Sequence, residues 1–68
     1  MINFELDNTK EGLNIYLNKE GVEELISYLN FIKTKEDHIH LLAGNELSEW
    51  IIDKDSSLVK HVKIAYIS

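Results

Sequence analysis

The sequence predicts an α+β, two-layer fold in which a single helix covers one face of a four-stranded, mostly antiparallel sheet, in the order strand, strand, helix, strand, strand. Three observations predict it. Apolar and polar residues alternate with period two near both ends of the chain, an apolar spacing of three and four occupies the middle, and 68 residues leave room for one core and one domain, residues 1–68.

Ile2, Phe4 and Leu6 alternate with Asn3, Glu5 and Asp7, as a half-buried strand requires. Asp7 to Gly12 supplies polar turn residues and a glycine able to take positive φ, after which Leu13, Ile15 and Leu17 alternate with Asn14, Tyr16 and Asn18 and complete a hairpin. Asn18 caps a helix beginning at Lys19, since its side-chain oxygen can accept from an amide the helix leaves unpaired. Glu20, Glu23 and Glu24 lie toward the positive end of the helix dipole, with Lys33 and Lys35 at the other end. Val22, Leu25, Ile26, Leu29 and Ile32 form one apolar stripe for the sheet to cover. Tyr28 lies on the flank of that stripe and Phe31 nearly opposite Val22, where they either fold over the sheet edge or meet a partner.

His38 to Leu42 alternates again, with Ile39 and Leu41 on one face and His38 and His40 on the other. The last strand is expected from about Val59 to Ile67, with Val62, Ile64 and Tyr66 on one face. Between them, residues 43–58 form a long loop, or Leu47 to Ile52 adds a short strand or a helical turn. One helix covers one sheet face, so Asn3, Glu5, Asn14, Tyr16, His38, His40, His61 and Lys63 are expected on the opposite face, toward solvent or a partner.

Composition narrows function. The chain has 12 acidic residues against seven lysines and no arginine, for a net charge of -5, which opposes nucleic acid and favours a basic protein surface. It has no cysteine, in keeping with a reducing cytoplasm, and this excludes thiol and iron-sulfur chemistry. No run of apolar residues is long enough to span a membrane. Gly12, Gly21 and Gly44 are isolated, so no phosphate-binding loop is present, and nothing resembles a nucleophile elbow; no enzymatic activity is expected. His38 and His40 share a strand face that His61 can join, but of the carboxylates only Glu5 offers itself as an orienting group, so a solvated strand face is expected and neither metal nor cofactor.

The segment from Asn45 to Asp55 joins four acids and one lysine to the only tryptophan and to Ile51 and Ile52. Trp50 has two readings: an interface anchor ringed by carboxylates, or a core residue lying across an open sheet edge. The surface expected to bind a partner comprises His38, His40, Glu46, Glu49, Trp50 and Asp53.

Gly21-Val22-Glu23-Glu24-Leu25, His38-Ile39-His40-Leu41-Leu42, Asn45-Glu46-Leu47-Ser48 and His61-Val62-Lys63-Ile64, in that order and spacing, resemble the immunity protein 32 family of bacterial polymorphic toxin systems. The likeness runs from Gly12 onward. It departs where Ala43-Gly44-Asn45 stands in place of a Trp-Gly-Gly element and the tryptophan comes later, at position 50. The resemblance implies a non-catalytic cytoplasmic protein that binds a cognate toxin domain and neutralises it by occlusion. The acidic surface suits a basic, nuclease-like toxin. The competing reading, from another class, is a small structural or regulatory subunit that self-associates, as a homodimer for example, through a sheet edge.

Overall fold

The computed structural model describes residues 1–68. Its elements are β1 (Ile2–Leu6), β2 (Leu13–Leu17), α1 (Lys19–Lys35), β3 (His38–Leu42), β4 (Ser57–Leu58) and β5 (His61–Ala65). The α+β class and the single helix are as expected. The single four-stranded sheet is not: β2-β1-β4 form one sheet and β3-β5 another, both antiparallel.

The difference lies at the entry to the last strand, expected from about Val59 to Ile67: Ser57 and Leu58, in the segment expected to be loop, form a strand of their own. The chain instead changes partner partway. Ser57 and Leu58 pair with β1, the Val59 N–H still donates to the Phe4 carbonyl at 2.9 Å, and the Lys60 carbonyl already accepts from Ala43 at 2.9 Å. From His61 on, the strand pairs with β3, and it ends at Ala65, leaving Ile67 87% exposed. The core lies where the two sheets and the helix meet: Ile2, Phe4, Leu41 and Leu47 are buried, with Leu17, Leu25, Tyr28, Ile39, Val59, Val62 and Ile64 packed around them. No helix is long and apolar enough to cross a membrane.

In the hairpin, the positive φ falls on Lys10 rather than on Gly12. The Asp7 carboxylate accepts from the Thr9 N–H at 3.0 Å and the Thr9 hydroxyl at 2.6 Å, an Asx-type turn that sets the bend at Asn8 and Thr9. Gly12 serves a different need, because a Cβ there would overlap the Asp7 carboxylate.

Helix α1 begins and ends where the caps place it. The Asn18 side-chain oxygen accepts from the Gly21 N–H at 2.8 Å. Gly21 is buried, and a Cβ there would overlap the backbone of Met1, so the helix approaches the start of β1 as only glycine permits. Asn18→Ala is expected to lower stability by about 1 kcal/mol and Asn18→Ser to restore most of it, read as the shift in urea midpoint. Equal midpoints for wild type and Asn18→Ala would remove the cap from the account.

The helix is turned away from the expected orientation. Ile32 is buried and Leu25 and Tyr28 are half-buried against the core, whereas Val22, Ile26 and Leu29 are exposed. At 100° per residue the second set lies about a quarter turn from the first. Tyr28 thus belongs to the core and Phe31 to the surface.

Candidate functional site

Asn3 and Glu5, expected on an open sheet face, are fully buried. The segment leaving β3 folds over that face and hydrogen-bonds to both. The Glu5 carboxylate accepts from the N–H groups of Ile52 at 2.7 Å and Asp53 at 3.1 Å, from the Ser56 hydroxyl and from the Asn3 amide. The Asn3 amide also donates to the Trp50 carbonyl at 2.9 Å. Burial acts to raise the Glu5 pKa, but the hydrogen bonds from Ile52, Ser56, Asp53 and Asn3 outweigh it and hold the carboxyl below its ordinary value. One buried carboxylate therefore anchors the middle of a loop that has neither helix nor strand between Ser48 and Ser56.

Further bonds tie the loop at both ends. The Ser48 N–H donates to the Ile2 carbonyl at 2.9 Å, next to the β1 edge that β4 occupies farther along. Asp53 closes a turn of its own, its side chain accepting from the Asp55 N–H at 3.0 Å and its carbonyl from the Ser56 N–H at 2.9 Å. Neither the extra strand nor the helical turn considered for Leu47 to Ile52 forms; the one ladder contact is a parallel bridge between Ala43 and Leu47.

This scaffold presents Trp50 outward. Its side chain is 77% exposed, with Ile51 at 49% and Ile52 at 50% beside it in the chain, so the reading of Trp50 as a core residue is overturned. Asn3 and Glu5 hold the backbone at Trp50, Ile52 and Asp53 from beneath. Leu47 takes the buried place instead, at 2% exposure. Trp50, Glu49, Ser48, Asn45 and Gly44 border an open depression of about 390 Å³. The Glu49 carboxylate lies over Gly44, whose φ of 84° is in the left-handed region, and a Cβ at that glycine would meet it.

Glu46 does different work. Its carboxylate accepts from the Leu42 N–H at 3.0 Å, which lowers its pKa and satisfies the outer edge of β3 where no strand pairs with it. The Leu42 carbonyl accepts in turn from Asn45 and Leu47. Of the six surface residues picked from sequence, Glu49, Trp50 and Asp53 thus share the loop over Glu5, and Glu46 buttresses the turn that leads into it.

His38 and His40 form a second cluster with His61, on the exposed face of the β3-β5 sheet. His40 Nδ1 lies 2.7 Å from His61 Nε2, the His38 and His40 rings meet edge to face at 5.1 Å, and His38 Nδ1 lies 3.0 Å from the Asp37 carboxylate. No hydrogen bond or ion pair joins these rings to residues 49–55, and no three His, Cys, Asp or Glu side chains are grouped to hold a metal ion. Desolvation, then the neighbouring His61, His38 and Lys63, lower the His40 pKa. Because the unfolded chain then binds the proton more readily than the folded one, stability is full above the ordinary histidine pKa near 6.5 and falls as pH drops toward the folded value. His40→Gln is expected to flatten the thermal stability profile between about pH 5 and 7. A profile of unchanged slope would remove His40 as its cause.

Asn3, Glu5, Ser56 and the Ile51-Ile52 pair complete the site and were not picked from sequence as binding residues. Ile51 and Ile52 carried a signal in their adjacency to Trp50; Asn3 and Glu5 carried none, because a polar residue at an alternate strand position reads the same whether water or a loop covers it. Comparison with protein-family models, curated proteins and solved structures finds no match.

Proposed function

We propose that this chain is an immunity-type protein that binds a cognate toxin domain through the loop over Glu5 and neutralises it by occlusion, without catalysis, in the cytoplasm. The observation that carries the reading is Trp50, an almost fully exposed aromatic on a backbone fixed from beneath by a buried carboxylate. A preformed anchor loses little conformational freedom on binding, and tryptophan is the residue type most enriched among interface hot spots. Glu49 and Asp53, both exposed, flank it and suit a basic partner surface, speeding association with it. A lysine or arginine of the partner fits the depression between Trp50 and Glu49, where it meets both a carboxylate and an aromatic face. The resemblance to the immunity protein 32 family supports the same reading from the sequence.

The test is co-expression with the C-terminal domain of the protein encoded by the neighbouring gene, together with a pull-down of the two. Binding with rescue of growth is the expected result. If the two proteins neither bind nor restore growth, the immunity reading fails.

A further inference from the structure

We infer that the outer edge of β2 is a second, separate interface, at which two copies of this chain pair antiparallel about a twofold axis at Ile15. In the three-stranded sheet β2 has a neighbour on one side only. The Asn18 N–H donates to the Met1 carbonyl and the Asp7 N–H to the Gly12 carbonyl, which fixes the alternation of the β1-β2 ladder. Leu13, Ile15 and Leu17 fall between the bonded pairs and turn their own N–H and C=O groups to the open side.

Edge strands usually carry a device against pairing: a lysine, a proline or a bulge. Leu13-Asn14-Ile15-Tyr16-Leu17 has no charge and no proline, and its register against β1 runs unbroken over five pairs. The other open edges differ. At β1 the Ile2 carbonyl is taken by Ser48, and at β3 the Leu42 N–H is taken by Glu46. β5 carries Lys63 and β4 is only two residues long, so β2 is the one five-residue edge left both uncapped and uncharged.

The occupant follows from this edge and from the area beside it. Leu13 is 53% exposed, Ile15 46% and Leu6 36%, on the sheet face where Ile2 and Phe4 are buried and Leu17 is half-buried. The helix that follows β2 leaves Val22, Ile26 and Leu29 exposed as well. The chain exposes 4985 Å², where a compact monomer of 7.9 kDa is expected to expose about 4,400 Å². That excess of about 600 Å² is summed over the whole chain, and the apolar residues at the β2 edge are part of it; a standard interface takes roughly 800 Å² from each partner. A second copy matches the edge by symmetry: Ile15 faces Ile15, Leu13 faces Leu17, and the three pairs exchange about six backbone hydrogen bonds.

Each copy carries a net charge of -5, and none of it lies on β2. Salt therefore screens the repulsion and strengthens the dimer, the reverse of its effect on an acidic loop binding a basic partner. β2 also stands at the opposite edge of the sheet from β4, into which the Trp50 loop runs, so this proposal and the proposed function can fail separately.

Sedimentation equilibrium of the full chain, over a range of protein concentrations and at about 0.05 and 0.5 M salt, tests it. The expected result is a monomer-dimer equilibrium tightening at the higher salt, weakened at least tenfold by Ile15→Lys. Leu13→Glu serves as a second variant, and circular dichroism checks that both fold. In the wild type, amide exchange at Leu13, Ile15 and Leu17 is expected to slow as concentration rises. A monomer at every concentration and salt, or a dimer that both folded variants leave intact, overturns the proposal.

Discussion

Glu5→Ala is expected to destabilise the fold by about 3 kcal/mol, because the part-buried Ile52 and Asp53 N–H groups and the buried Ser56 hydroxyl lose their acceptor. At 0.05–0.15 kcal/mol per residue a chain of this length holds roughly 3–10 kcal/mol in all, so the loss is a large share of the total. The urea midpoint reports it. Fluorescence anisotropy reports the cause, since Trp50 is the only tryptophan and sits two residues before the first amide bound to Glu5. Its mobility is expected to rise as the loop is released. Glu5→Gln keeps one accepting oxygen and presents an amide where the other stood, so an intermediate loss is expected.

The same carboxylate sets an acid limit. Its pKa is lowered in the folded state, so its contribution is present above the unfolded value near 4.3 and is lost as pH falls through the folded one. Glu5→Gln is expected to remove that part of the acid sensitivity. A Glu5→Ala variant with wild-type midpoint and anisotropy would mean that other contacts hold the loop.

Trp50→Ala is expected to act in the opposite way, leaving stability within about 0.5 kcal/mol while costing at least about 2 kcal/mol of partner affinity, or roughly thirtyfold. The exposure of the ring gives the first half of that expectation, and its central place on the anchored loop gives the second. Glu49→Lys and Asp53→Lys are expected to slow association and to weaken its dependence on salt, measured by stopped flow against the proposed partner. Glu46 is a poor choice for the same experiment, because its carboxylate holds the Leu42 amide and a lost interaction there would reflect altered folding. Full affinity in a folded Trp50→Ala variant would move the contact surface off this loop.

The two variants separate positions that the sequence makes look alike. Glu5 lies between Phe4 and Leu6 and Glu49 between Ser48 and Trp50, and both are expected from the sequence to face outward, yet Glu5 is a buried scaffold and Glu49 is exposed. Nothing local marks Glu5 as buried, because the groups that cover it lie 47 to 51 residues away along the chain.

By itself the sequence determined what depends on near neighbours. The period-two runs placed β1, β2 and β3, and Asn18 with the three-four apolar spacing placed the helix from Lys19, since caps, turns and pleats are decided within a few residues. Tertiary structure alone decided which face each element buries. The segment from Ser57 to Ala65 divides between two sheets because both β1 and β3 offer it an unpaired edge, the helix rolls so that Leu25, Tyr28 and Ile32 reach the core in place of Val22, Ile26 and Leu29, and the loop after Leu47 lies over Asn3 and Glu5 because its amides find a carboxylate there. Each of these outcomes rests on contacts between distant segments, where a backbone donor or an apolar surface is satisfied only when the whole chain has closed.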